Sequence, residues 1–91
     1  MIYSVITTPE VDRDFAKLAK DEPKAFLKAQ RFIEELKEHP KTGLGLPEPL
    51  KGKPDGRWSR EITKKHRLVY QIIDTQVIVL ILAAYGHYED K

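Results

Sequence analysis

Glu48 stands between two prolines in Pro47-Glu48-Pro49-Leu50, and an imidazole and a phenol, His87 and Tyr88, stand near the C-terminal end. Between them, residues 51–67 read KGKPDGRWSREITKKHR and hold seven of the chain's 16 lysines and arginines against two acids, Asp55 and Glu61. The formal charge of that run is +5, and that of the remainder is −3. A carboxylate, a cationic cluster and an imidazole are the parts needed to cut an RNA backbone without a metal. The 2′-hydroxyl of RNA is a built-in nucleophile for the adjacent phosphate. A protein must take its proton, protonate the 5′ leaving oxygen and stabilise the extra charge on the phosphorane. General acid–base groups contribute roughly 10²–10⁴-fold each, and positioned cations act on the charge that develops in the transition state.

Each candidate has a plainer reading beside the chemical one. The prolines stiffen the backbone around Glu48, and neighbouring Lys51 favours its ionised form, as a general base requires; otherwise it decorates a rigid loop. Arg67 could grip a phosphate through its guanidinium fork, or be a solvated strand arginine. His87 is of the side-chain type that titrates near neutral pH and could protonate a leaving group, or belong to a loose tail after Gly86. Tyr88 could stack on a base or orient the phosphate, or pack against the edge of the domain. Trp58 reads as an aromatic closing the end of a small core. His39, His66 and His87 lie on different elements, and no pair has a metal-ligand spacing, so no metal site and no cofactor are expected.

Composition narrows the classes. Ninety-one residues make a single domain, residues 1–91, with one core. With no cysteine there is no disulfide framework, thiolate zinc site or cysteine nucleophile. The longest apolar run, residues 77–84, is too short to cross a bilayer, and the N-terminus lacks a signal-peptide block. A cytoplasmic protein without membrane contact is expected. Segregated positive charge attracts phosphate through its field and through counterion release.

The elements that must position these groups follow from periodicity. Residues 2–7 alternate and are β-branched, as in a strand. Thr8-Pro9 reads as N-cap and first position of a helix to about residue 19. Asp21 and Pro23 begin a second helix, whose apolar stripe runs through Ala25, Ala29, Phe32, Ile33 and Leu36 until His39-Pro40 and Gly43 end it. Residues 42–56 form a long loop with four glycines and three prolines. Strands are expected at 57–63, 66–74 and 77–85, the last apolar on both faces and therefore central. The order β-α-α-β-β-β predicts an α+β domain, an antiparallel sheet with a helical hairpin on one face. The other face is left for Arg60, Arg67, Tyr70 or their neighbours, and strand parity alone does not decide which.

Taken in order, Gly45-Leu46-Pro47-Glu48-Pro49-Leu50-Lys51, Trp58-Ser59-Arg60, Ile62-Thr63, His66-Arg67-Leu68-Val69-Tyr70 and His87-Tyr88 closely resemble the YoeB/Txe branch of the RelE toxin superfamily. The resemblance covers the second half of the chain, and the first half matches in pattern only. It implies a RelE-like fold and a ribosome-dependent, metal-independent mRNA endonuclease of a bacterial type II toxin–antitoxin module, cutting codons in the ribosomal A site. It further implies Glu48 as general base, His87 as general acid, Arg67 as transition-state cation, Lys51 and Arg60 on the RNA backbone, and Tyr88 in support. The partners it implies are a cognate antitoxin of YefM/Phd type, the ribosome with its mRNA, a second copy of the chain, and operator DNA bound as the toxin–antitoxin complex.

One position departs from the pattern. The family reads W-S-R-R-I where this chain has Trp58-Ser59-Arg60-Glu61-Ile62. A carboxylate facing the phosphorane would slow the reaction roughly 10²–10⁴-fold. Alternation puts Arg60 and Glu61 on opposite faces, which favours a Glu61 that points away, or pairs with Lys64, Lys65 or Arg67, in a site that still works. The competing expectation is an inactive form that occupies antitoxin, ribosome or operator without cutting.

Overall fold

The computed structural model describes residues 2–51 and 56–86. Strand β1 (Ser4–Ile6) leads into helix α1 (Pro9–Asp21) and helix α2 (Pro23–Leu36). Four strands follow: β2 (Glu48–Pro49), β3 (Arg57–Glu61), β4 (Arg67–Ile73) and, after a 3₁₀ turn at Asp74–Gln76, β5 (Ile78–Ala83). The sheet order is β1-β5-β4-β3-β2. The α+β architecture is as the periodicity predicts, with β5 in the interior of the sheet. Two details differ. The sheet is mixed, because β1 pairs with β5 in parallel while every other neighbouring pair is antiparallel. The long loop also contributes β2, a short antiparallel edge on β3 that pairs Glu48 with Ser59 and Pro49 with Trp58.

Helix α1 starts where Thr8 caps it, its hydroxyl accepting from the Val11 amide at 3.3 Å, with Pro9 in the first turn. It runs two residues beyond the expected end, so Asp21 closes α1 and Glu22 is the one-residue junction before Pro23. Proline cannot continue a helix from within, and the chain folds back there as an antiparallel pair. The stripe Val11, Leu18, Ala25, Ala29, Phe32 and Leu36 packs on Leu68, Tyr70, Ile72, Val79 and Ile81 of the sheet. Among the described residues no helix is long and apolar enough to cross a membrane.

Gly56 restarts the chain into β3 at φ +88°, a left-handed conformation. Its carbonyl accepts from the Ile72 amide at 2.7 Å, and a β-carbon there would lie 2.5 Å from the Ile72 carbonyl oxygen. Gly56→Ala therefore combines a positive φ with a backbone clash and is expected to cost about 1–3 kcal/mol. Urea denaturation measures it; an unchanged midpoint would contradict the strain.

Candidate active site

Register decides the faces. β3 and β4 pair Trp58 with Tyr70, Arg60 with Leu68, Ser59 with Val69 and Glu61 with Arg67. Trp58, Arg60, Leu68, Tyr70 and Ile72 lie on the helix side, and Arg57, Ser59, Glu61 and Arg67 lie on the other, together with Glu48, which pairs opposite Ser59.

This overturns the expectation for Arg60. It is fully buried, and its five N–H donors all have partners. Nε donates to the Tyr70 hydroxyl at 3.1 Å. One terminal nitrogen donates to the Glu35 carboxylate and to the Leu44 carbonyl at 3.1 Å, and the other to the carbonyls of His39 and Thr42 at 2.6 and 2.8 Å. A guanidinium so engaged has nothing left for an RNA phosphate. Its role is to tie down the glycine-rich loop, a strap also fixed by the Leu44 amide on Glu35 at 2.8 Å and the Glu61 amide on the Gly45 carbonyl at 2.7 Å. Burial pushes the Glu35 carboxyl up. The Arg60 hydrogen bond, the Leu44 amide and the nearby charges of Arg60 and His39 together outweigh it and hold the group below its ordinary value. Tyr70, expected as a candidate for the open face, is buried as well, its hydroxyl donating to the Pro40 carbonyl at 2.8 Å. Burial pushes that phenol up.

On the open face, Arg67 is the centre. One terminal nitrogen lies 3.5 Å from a Glu48 carboxylate oxygen and 3.3 Å from the Ser59 hydroxyl. The other lies 3.9 Å from a Glu61 carboxylate oxygen. The side chains are 28% exposed for Arg67, 58% for Glu48 and 41% for Glu61, so water and an anionic ligand reach all three. Lys51, exposed, follows β2 by two residues. The Arg67 amide donates to the Gly86 carbonyl at 2.9 Å, so the chain that continues to His87 and Tyr88 leaves from beside Arg67. His87 and Tyr88 themselves lie outside the described residues. Trp58 is half-buried against the core, as its residue type suggested.

Glu61 is on the opposite face from Arg60, as alternation requires. Since Arg60 takes the inside, Glu61 is on the face of Arg67 and pairs with it, one of the partners expected for it. Two contributors escaped the sequence reading. Ser59 is part of the resembling motif without a chemical signal of its own, although its parity with Glu61 puts it on the same face. Glu35 had no local signal at all, since Arg60 reaches it across 25 positions.

A family model described as the YoeB-like toxin of a bacterial type II toxin–antitoxin system matches residues 7–88. A Toxin YoeB of Streptomyces coelicolor is 41% identical over 67 residues, covering 74% of this chain and 80% of that protein. The solved YoeB/ParE toxin from Agrobacterium tumefaciens superposes with a TM-score of 0.83 at 32% identity, covering 93% of this chain and 99% of the other. The toxin of a YoeB–YefM complex from Staphylococcus aureus gives a TM-score of 0.76 at 26% identity, covering 97% of this chain and 100% of that one. This chain belongs to the family of YoeB-like toxins of bacterial type II toxin–antitoxin systems.

Proposed function

We propose that this toxin is a ribosome-dependent endoribonuclease that cuts mRNA in the A site through attack of the 2′-hydroxyl. The observation that carries the reading is the Glu48–Arg67 pair at 3.5 Å on an open sheet face, beside the point where the chain runs on to His87. In this mechanism the scissile phosphate settles on Arg67, displacing the loose contact with Glu48. The freed carboxylate takes the proton of the 2′-hydroxyl. Attack closes a 2′,3′-cyclic phosphate while the bond to the 5′ oxygen breaks, and His87 supplies the proton that this oxygen needs. Arg67 carries the charge of the phosphorane, a job for which its fork suits two equatorial oxygens. Ser59 holds the guanidinium in place, Lys51 attracts the RNA backbone, and Tyr88 supports His87. Arg60 has no part in contacting RNA.

The proposed partners are the ribosome with its mRNA, operator DNA, a second copy of the chain and an antitoxin. The last is supported by the YoeB–YefM complex of the Staphylococcus relative.

Glu61 beside Arg67 favours a second reading, a module that binds antitoxin or ribosome with little or no cutting. Primer extension on an mRNA undergoing translation with the purified protein separates the two. Cuts within codons that need the ribosome are expected. Ribosome binding with no cuts at any concentration would replace the enzyme with the module.

A further inference from the structure

His66 is buried, with 5% of its surface exposed, and has no part in the chemistry above. Both ring nitrogens are engaged. Nε2 lies 2.6 Å from the carboxylate of Glu22, the junction between the two helices. Nδ1 accepts from the Gly86 amide at 2.8 Å. A backbone N–H can only donate, so Nδ1 must keep its lone pair, and the single ring proton sits on Nε2, facing Glu22. The contact thus selects one tautomer of a neutral ring.

Gly86 is gripped from both sides, its amide by the His66 ring and its carbonyl by the Arg67 amide at 2.9 Å. Its φ of +78° turns the chain at that point. The residues just before it are held by the same helical hairpin. The Ala84 amide donates to Asp14 at 3.0 Å, and the Tyr85 hydroxyl donates to Asp21 at 2.6 Å. The Tyr85 ring centroid lies 4.5 Å from that of the His66 ring and 5.6 Å from the Lys17 ammonium. On the near side, the His66 amide is anchored by the Thr63 hydroxyl at 3.2 Å.

We propose that His66 is a positioning residue for catalysis: through its Nδ1 acceptor it holds Gly86 beside Arg67 and so sets where the following residue, His87, starts. This rests on the endoribonuclease reading, in which His87 is the general acid. A misplacement of a proton donor by about 1 Å can cost about 10²-fold in rate. Fixing the peptide just before it is therefore worth a buried histidine. Glu22 acts through the ring by holding the proton on Nε2.

Two substitutions separate the two nitrogens. In His66→Asn the amide oxygen can occupy the place of Nδ1 and keep an acceptor for Gly86. In His66→Gln the amide reaches the place of Nε2, keeping a donor for Glu22 and losing that acceptor. The expected result for His66→Gln is a kcat lower by about 10–100-fold with KM nearly unchanged, and for His66→Asn a kcat within about threefold of the parent. Equal losses in both variants, tracking their loss of stability, would mean that the ring is only a packing element. Two measurements do not depend on cleavage. The ¹⁵N spectrum of the parent should show His66 protonated on Nε2 only, and hydrogen exchange at the Gly86 amide should be slow in the parent and fast in His66→Gln. A parent that cuts no RNA would defeat the endoribonuclease reading alone. A protonated Nδ1, or unchanged Gly86 exchange in His66→Gln, would defeat the positioning role.

Discussion

Arg60→Ala is expected to destabilise the fold by about 3–5 kcal/mol, the range for removing one partner of a buried ion pair. For a domain whose whole stability is about 5–15 kcal/mol, that is a large share. The reason lies in what the guanidinium leaves behind. The carbonyls of His39, Thr42 and Leu44 lose a donor, the Tyr70 hydroxyl loses one of its partners, and Glu35 keeps a carboxylate with its charge partner gone. Arg60→Lys is expected to recover only part, because an ammonium has three donors where the fork has five and lacks the fork's planar geometry. The loss also has a pH signature. Glu35 is held below its ordinary value of 4.5 in the folded chain, so the stability it contributes is complete above that value. It drains away as pH falls through 4.5 toward the folded value, and the gap between parent and Arg60→Ala should narrow over the same range. Equilibrium unfolding in urea at neutral and acid pH checks both points. A variant within about 1 kcal/mol of the parent at neutral pH would show that the strap is held by other contacts.

A second large effect is expected at Glu61, in the direction of gain. Its carboxylate lies 3.9 Å from Arg67 and draws on the cation assigned to the phosphorane. At about 6 Å from a bound phosphate, with an effective dielectric near 40 for a site open to water, each unit of charge is worth about 1.4 kcal/mol, or about tenfold in rate. Glu61→Gln removes one unit and should raise ribosome-dependent cleavage about tenfold; Glu61→Arg reverses the charge and should raise it about a hundredfold. Single-turnover cleavage of mRNA on stalled ribosomes reads both. Graded gains across the pair support the electrostatic account. Parent-like rates in both variants would mean that the carboxylate turns to solvent when RNA binds, and that this chain works with a glutamate where the resembled pattern has an arginine.

How much of the fold was legible in the chain depends on how local its causes are. The two helices follow from Thr8-Pro9, Pro23 and an apolar stripe of period near 3.6, signals contained within a few residues. The last three strands follow from alternation and short turns, and β5 lies inside the sheet because it is apolar on both faces. The parallel pairing of β1 with β5 and the two-residue strand at Glu48–Pro49 have no such local mark. They depend on where distant segments arrive. The same holds for the site. Glu48 and Arg67 stood out by residue type and neighbours, whereas Ser59, Glu35 and Glu22 gained their parts from partners 8, 25 and 44 positions away.

Residues 57–61 show the division most clearly. A strand repeats every two residues, so the sequence by itself determined that Arg60 and Glu61 point to opposite faces, and, with the resemblance, that a carboxylate stands where an arginine is usual. It also determined the chemistry on offer, a carboxylate, a guanidinium and an imidazole with RNA's own nucleophile. Which of the two faces meets the helices was decided only by tertiary structure. Glu35, the loop carbonyls and the Tyr70 hydroxyl sit on the helix side, and a guanidinium can be buried where together they satisfy all five donors. Arg60 therefore went inside, and that choice left Glu61 on the open face with Arg67 and Glu48.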